Sequence, residues 1–162
     1  MLNLAAVRIL KGSLAEVRRY ALRLLNYRSR SRKEMLERLG KKGFDQDHIT
    51  HVMDFLVKAD LLNDETLASD LFRQSTERRY LGSRGVRMFL VKRGIPKDLI
   101  DKTMSDHTTE MEEVSALKFI EKKIGSLIRK PDYVKKRRLW GMLERRGYSG
   151  SVINRALRKV NL

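Results

Sequence analysis

The side chains in this sequence with the strongest chemical signature are cations. Lys and Arg number 36 against 20 Asp and Glu, which leaves a formal net charge of +16 at pH 7. Such an excess predicts a polyanionic partner, which could be a nucleic acid, an anionic membrane surface or an acidic protein. The alternative interpretation is a solvated basic surface that serves only solubility. The positions of the cations therefore decide which side chains are candidates for binding.

Pairs of cations recur at one place in a repeated motif. Residues 39–44, 90–95 and 143–148 each read Leu, any residue, two basic residues, Gly and a large apolar residue. Further basic runs occupy residues 28–33, 78–87 and 135–138. If equivalent positions of stacked repeats share one side, these cations form a stripe that suits a nucleic-acid backbone. The candidate nucleic-acid-binding or partner-binding residues are Arg30, Arg32, Lys41, Lys42, Arg78, Arg79, Arg84, Arg87, Lys92, Arg93, Lys135, Lys136, Arg145 and Arg146.

Tyrosines accompany the basic runs. Tyr27, Tyr80, Tyr133 and Tyr148 lie within or close to them in the sequence. Their rings offer surfaces on which unpaired bases could stack, although each ring suits a packed core equally well. The tyrosines therefore add weak support to the prediction of a nucleic-acid partner.

Catalytic and metal-binding patterns are missing from the sequence. There is no Cys, and the three His show no spacing typical of metal ligands. Asp64-Glu65 and Asp98 with Asp101 could be imagined as the metal ligands of a nuclease. Both pairs are predicted to lie in the first turn of a helix, where carboxylates stabilise the helix dipole. We therefore predict a binding protein that is not an enzyme and has no catalytic residue, metal or cofactor.

The motif also predicts the elements that must position the cations. Gly43, Gly94 and Gly147 fit left-handed residues at helix ends, and a new helix is expected to begin at Asp45, Pro96 and Ser149. Ser31-x-x-Glu34 and Thr109-x-x-Glu112 predict capping boxes at two other helix starts. The period of about 50 residues indicates a repeat architecture, against the alternative of chance similarity among basic helices. We predict an all-α fold, an elongated array of three tandem three-helix, helix-turn-helix-like repeats at residues 13–62, 63–107 and 108–162, after an N-terminal lead-in at 1–12.

Composition also bears on the compartment. The lack of Cys agrees with a reducing cytosol. No apolar run approaches the length of a membrane span, and no pattern of a signal-peptide cleavage site follows the first residues. We therefore expect a cytoplasmic protein with no membrane contact, acting as a monomer.

Each helix–Gly turn–helix also resembles a helix-turn-helix, so a transcription regulator that reads duplex DNA is a rival hypothesis. A preference for single-stranded or for specific duplex DNA would separate the two.

The chain resembles the RecX family, the regulators of the bacterial recombinase RecA. The resemblance covers the chain from about Ala21 onward and is looser in the third repeat. It is carried by Ala21-Leu22-x-Leu24-Leu25-x-x-Arg28-x-Arg30-Ser31-x-x-Glu34-Met35-x-x-x-Leu39, by Leu61-Leu62-Asn63-Asp64-x-x-Leu67-Ala68 and by Gly82-x-x-x-Val86-x-x-x-Leu90-x-x-x-Gly94-Ile95.

This resemblance implies tandem three-helix repeats and a non-enzymatic role. Family members bind the filament that RecA forms on single-stranded DNA, block its growth or promote its disassembly, and inhibit strand exchange and ATP hydrolysis. The implied partners are the RecA filament and single-stranded DNA, with duplex DNA as a further candidate.

Overall fold

The computed structural model describes residues 12–162 of the chain. Nine α-helices and no β-strand occur in this part of the chain, so the prediction of an all-α fold is confirmed. Except for Gly12, the predicted lead-in lies outside the described residues. The helices are α1 (Leu14–Tyr27), α2 (Arg32–Lys42), α3 (Gln46–Lys58), α4 (Asp64–Arg73), α5 (Ser83–Lys92), α6 (Lys97–Met104), α7 (Thr109–Ile124), α8 (Asp132–Arg145) and α9 (Gly150–Lys159).

The three motif glycines end helices as the sequence predicts. Their φ angles are +83° at Gly43, +72° at Gly94 and +84° at Gly147, in the left-handed region that favours glycine. Asp45, Pro96 and Ser149 then stand at the N-caps of α3, α6 and α9. Each motif is therefore a sharp turn between two helices, α2 and α3, α5 and α6, or α8 and α9.

Side-chain caps start several of the helices. The predicted capping box of α2 is present, because Ser31 accepts from the Glu34 amide while the Glu34 side chain bonds the Ser31 amide. The box predicted at Thr109 is wrong by one residue. Thr108 is the N-cap of α7 and its hydroxyl accepts from the Met111 amide, so Thr109 is the first helical residue.

The chain forms two compact units. The first contains the described residues up to Leu67 together with Arg93–Ile95, and its core includes Met35, Leu39 and Leu56. The second contains Ala68–Lys92 and Pro96–Leu162, with a core built around Phe119 and Ile120. The boundaries of these two units do not coincide with the predicted repeats at residues 13–62, 63–107 and 108–162. The three repeat boundaries therefore stay predictions.

No helix in residues 12–162 combines the length and the apolarity that a membrane span requires.

Candidate nucleic-acid interface

A cavity of about 430 Å³ in the second unit collects positive charge. No carboxylate is among the described residues that line it. We call it the cationic cleft; its lining residues are Arg78, Arg79, Tyr80, Leu81, Phe119, Lys122, Lys123, Arg145 and Arg146. Six of the nine are Lys or Arg, so the cleft presents a concentrated field to an anion.

Four of the six cations are predicted candidates, and two were missed. Arg78 and Arg79 come from the segment after α4, and Arg145 and Arg146 from the end of α8. Lys122 and Lys123 lie in the last turn of α7, where cations also stabilise the helix dipole. A basic pair at that place is ordinary in a helix, so only the three-dimensional neighbourhood identifies these two lysines.

A π-helical turn at Gln74–Arg78 extends α4 and brings its basic residues to the cleft. The Ser75 hydroxyl donates to the Phe72 carbonyl at 2.7 Å, and the Arg79 amide donates to the Gln74 carbonyl at 3.2 Å, five residues earlier. Tyr80 follows with φ +51°, which is uncommon for a residue other than glycine. Such turns and strained residues are frequent at functional sites.

Aromatic rings hold two of the cleft arginines. The Arg146 guanidinium lies 4.0 Å from the Phe119 ring centroid, and the Arg79 guanidinium lies 4.4 Å from that of Phe89. The Arg146 Nε is buried and has no hydrogen-bond partner among residues 12–162. Cation–π contact restricts these guanidinium groups while it leaves their charge without a carboxylate.

Close backbone packing fixes the side of the cleft where Arg146 lies. The Gly82 amide donates to the Arg146 carbonyl at 3.0 Å, and the Arg84 amide donates to the Gly147 carbonyl at 3.2 Å. A Cβ atom at Gly82 would lie 2.5 Å from the Tyr148 amide nitrogen, and one at Gly85 would overlap the Arg146 carbonyl. Glycine is therefore required for the start of α5 to lie this close to the turn before α9.

Two predicted candidates in the first unit make structural contacts instead. Arg93 donates from Nε to Glu34 at 3.1 Å and from Nη2 to the Ser29 carbonyl at 2.9 Å. Arg30 is 7% exposed and donates to the Leu24 carbonyl at 3.3 Å. Burial, together with the nearby charge of Arg28, lowers the pKa of Arg30. Arg93 is paired with a carboxylate and Arg30 is almost wholly buried, so neither presents a free cation at the surface.

The Glu34 carboxylate is shared between two arginines. Arg28 donates to it through both terminal nitrogens at 2.9 Å, in addition to the bond from Arg93. Burial by itself raises the pKa of Glu34, but the hydrogen bonds from Arg28 and Arg93 outweigh burial and hold this pKa below its ordinary value.

The remaining candidates lie outside the lining of the cleft. Two of them are paired with acids: Arg87 with Asp101, and Lys135 with Asp132 at 2.8 Å. The other side chains are exposed, namely Arg32, Lys41, Lys42, Arg84, Lys92 and Lys136. A single stripe that joins all of these cations therefore stays a prediction.

The tyrosines differ in their surroundings. Tyr80 lines the cleft, whereas Tyr148 is buried and its hydroxyl donates to Ser115 Oγ at 3.0 Å. Burial raises the pKa of Tyr148 to about 12. Tyr27 and Tyr133 are 83% and 72% exposed and do not line the cleft. Of the four, Tyr80 is the ring that the fold places among cations.

Two of the four carboxylates considered as nuclease ligands have other partners. Asp64 accepts the Arg32 amide at 2.9 Å, and Asp101 pairs with Arg87. Among residues 12–162, no three His, Asp or Glu residues are grouped closely enough to hold a metal ion.

Comparison with family models gives two matches, one in each compact unit. The model described as RecX, first three-helix domain, matches residues 18–56. The model described as RecX, third three-helix domain, matches residues 112–157, which include five lining residues of the cationic cleft.

Solved structures share the fold. The crystal structure of RecX from Lactobacillus salivarius gives a TM-score of 0.75 at 21% sequence identity, covering 91% of this chain and 96% of that chain. A second, described as regulatory protein RecX, gives 0.74 at 20% identity, covering 88% and 72%. The predicted all-α repeat array agrees with these structures.

Curated relatives show the family. The regulatory protein RecX of Corynebacterium efficiens is 40% identical over 139 residues, which are 83% of this chain and 66% of that protein. The regulatory protein RecX of Mycobacterium sp. (strain KMS) is 33% identical over 137 residues, covering 82% of this chain and 75% of that protein. Relatives of this similarity and coverage, together with the two matching domain models, show that the chain belongs to the RecX family of regulatory proteins.

Proposed function

We propose that this protein binds the RecA–single-stranded DNA filament and inhibits its extension, ATP hydrolysis and strand exchange. In this way it regulates DNA repair and recombination in the cytoplasm, as a monomer and without catalysing a reaction. The observation that carries the proposal is the cationic cleft, where six Lys and Arg side chains meet with no carboxylate among the lining residues. Membership of a family of regulatory proteins supports the regulatory part.

The chemistry of the cleft suits a DNA backbone. Each Lys or Arg that neutralises a phosphate releases a condensed counterion, and this release drives much of the binding at low salt. The remaining exposed candidates, such as Lys41, Lys42 and Lys92, add attraction over a longer range. A protein bound to the strand in this way hinders the addition of further recombinase subunits.

The test is the ATPase activity of RecA on single-stranded DNA while the protein is titrated in. The wild type should inhibit hydrolysis in proportion to its occupancy. A variant that combines Arg78→Gln, Lys123→Gln and Arg145→Gln should need a several-fold higher concentration for the same inhibition, because it loses three cleft cations. No inhibition by the folded wild type would contradict the proposed function.

A matched control removes the same charge elsewhere in the second unit. Lys97→Gln, Arg129→Gln and Lys130→Gln change three exposed cations that do not line the cleft. This control should inhibit almost as the wild type does. Equal loss in both triple variants would show that net charge, rather than the cleft, carries the inhibition.

The same proteins distinguish the proposed filament inhibitor from its rival, a regulator that reads duplex DNA. The helix–Gly turn–helix geometry at Gly43, Gly94 and Gly147 favours this rival hypothesis. Such a regulator should prefer a specific duplex to single-stranded DNA and should leave RecA hydrolysis unchanged.

A further inference from the structure

We propose that the cationic cleft is a site for one unpaired nucleotide, with Arg146 holding its phosphate and the Tyr80 ring stacking on its base. This inference deepens the function proposed above and rests on it. It makes the cleft selective for single-stranded nucleic acid, because the faces of bases in a duplex are already stacked on their neighbours.

Arg146 is prepared to bind an anion. Its Nε is buried without a hydrogen-bond partner, and stacking 4.0 Å from the Phe119 centroid restricts its guanidinium. Because no acceptor among the described residues competes for this Nε, the guanidinium is not committed to an internal partner, and a phosphate oxygen is a strong acceptor for a guanidinium. Arg146 also lines the cleft, so a phosphate inside it can reach this side chain.

Tyr80 supplies the aromatic surface. Its ring lies at the edge of the core, with the Phe119 centroid 6.3 Å away, and it is partly exposed where it lines the cleft. Lys122 Nζ lies 5.5 Å from the ring centroid, which places a cation beside the stacking surface. The left-handed conformation of Tyr80, directly after a π-helical turn, is costly and is maintained by the surrounding structure.

The size and composition of the cleft fit this ligand. Its volume of about 430 Å³ lies within the range of small-ligand pockets, which is about 300–1,000 Å³. Cations that follow a backbone together with a ring that accepts any base are the usual components of single-strand binding. The other aromatic lining residue, Phe119, is 1% exposed and covered by Arg146, so Tyr80 is the ring available for stacking.

The experiment measures the affinity of the full chain for three labelled DNAs by fluorescence anisotropy, without RecA. They are a thymidine oligonucleotide, an abasic oligonucleotide with the same number of phosphates, and a duplex of the same length. The wild type should bind the thymidine strand at least about 5-fold more tightly than the abasic strand, the lower end of the measured range for stacking one base. Tyr80→Leu should remove this advantage and leave the affinity for the abasic strand and the salt dependence unchanged.

Two further variants control for the ring. Tyr80→Phe keeps the stacking surface and should retain the preference for base-bearing strands. Tyr133→Leu removes a tyrosine that is 72% exposed, lies in the same unit and does not line the cleft, so it should bind all three DNAs as the wild type does.

Equal affinity of the wild type for thymidine and abasic strands would overturn the inference, whether or not Tyr80→Leu folds. A loss in Tyr80→Leu that is the same on both strands would also overturn it, because the ring would then act only through the fold. Neither outcome decides the proposed function, which fails only if the wild type does not inhibit the RecA ATPase.

Discussion

The turns at Gly94 and Gly147 have the same motif and different surroundings. Arg93 precedes Gly94 and is bound to Glu34, whereas Arg146 precedes Gly147 and stacks on Phe119 with an unpartnered Nε. The difference lies in the helix start that packs on each turn. Glu34 is the third residue of α2, and Gly85 is the third residue of α5. Where the third helical residue is Glu34, its carboxylate binds Arg93 and makes that arginine structural. Where it is Gly85, no carboxylate stands at the equivalent position, and the charge of Arg146 is available to a ligand.

The motif glycines share a left-handed φ, but the space around Gly43 differs from the space around Gly147. Beyond the left-handed φ, a Cβ at Gly147 would overlap the backbone of Gly85, whereas nothing lies within 4 Å of a Cβ at Gly43. Gly147→Ala should therefore destabilise the protein by roughly 3 kcal/mol or more, from overpacking and backbone strain together. Gly43→Ala should cost about 1 kcal/mol, from the backbone alone.

Urea unfolding followed by circular dichroism measures both losses. Gly43→Asn serves as the control, because Asn tolerates the left-handed region and should cost less than Ala. Equal losses of unfolding free energy for Gly43→Ala and Gly147→Ala would contradict the close packing of α5 on the Gly147 turn.

The two arginines should respond to truncation in opposite ways. Arg93→Ala leaves Glu34 with Arg28 alone, so it should cost about 1–3 kcal/mol of stability and leave DNA binding unchanged. Arg146→Ala loses the cation–π contact with Phe119, worth about 0.5–1 kcal/mol. It should lower the log–log slope of affinity against salt for single-stranded DNA by about 0.7.

Stability and the salt slope should be measured on the same protein preparations. A reduced slope in Arg93→Ala, equal to that in Arg146→Ala, would show that the ion pair with Glu34 does not neutralise Arg93.

The Glu34 carboxylate beside the Gly94 turn makes stability depend on pH in a way that the Gly147 turn, which has no such carboxylate at the equivalent position, does not. Because hydrogen bonds from Arg28 and Arg93 lower the pKa of Glu34 despite its burial, the folded state binds this proton more weakly than the unfolded state. The contribution to stability is complete above the ordinary value of 4.5 and is lost as the pH falls through the lowered pKa. The stability difference between the wild type and Glu34→Gln should therefore shrink below that pH, and a constant difference would contradict the assignment.

The smallest expected effect concerns the apolar residue that follows each glycine, Ile95 after Gly94 and Tyr148 after Gly147. Ile95 has no ionisable group, but burial raises the pKa of Tyr148 from 10.0 to about 12. The neutral phenol is favoured in the folded state, so its contribution is present below the ordinary pKa and is lost as the pH rises toward 12. A tyrosinate absorbance titration of Tyr148→Phe should lack the most alkaline step of the wild type, whereas Tyr133→Phe should retain it.

Local signals in the sequence predicted the local structure well. The left-handed glycines and the capping box at Ser31 depend on residues within one turn of each other, and both are confirmed. The cap of α7 was misplaced by one residue because Thr108 and Thr109 are adjacent and both can cap a helix. The π-helical turn that positions Tyr80 has no comparable signal in the sequence.

The candidate site depends on distant pairs, which the sequence does not reveal. Arg93 and Glu34 are far apart in the chain, and no spacing predicts that this cation is neutralised while Arg146 is not. Lys122 and Lys123 reach the cleft only because α7 packs beside the end of α8. Sequence analysis therefore predicted the kinds of residue in the interface, and the fold selected which ones meet.

Glu34 also couples the amide hydrogen exchange of two backbone segments that are distant in the sequence, because it contacts both of them. Its Oε2 accepts the Ser31 amide at 3.4 Å, and its Oε1 accepts Arg93 Nε at 3.1 Å. We therefore expect fraying of the first turn of α2 to break the cap and, in the same step, to remove the carboxylate that holds Arg93. Amide protons at the start of α2 and around Gly94 should then report one opening free energy, which makes them a single cooperative unit despite their distance in the chain.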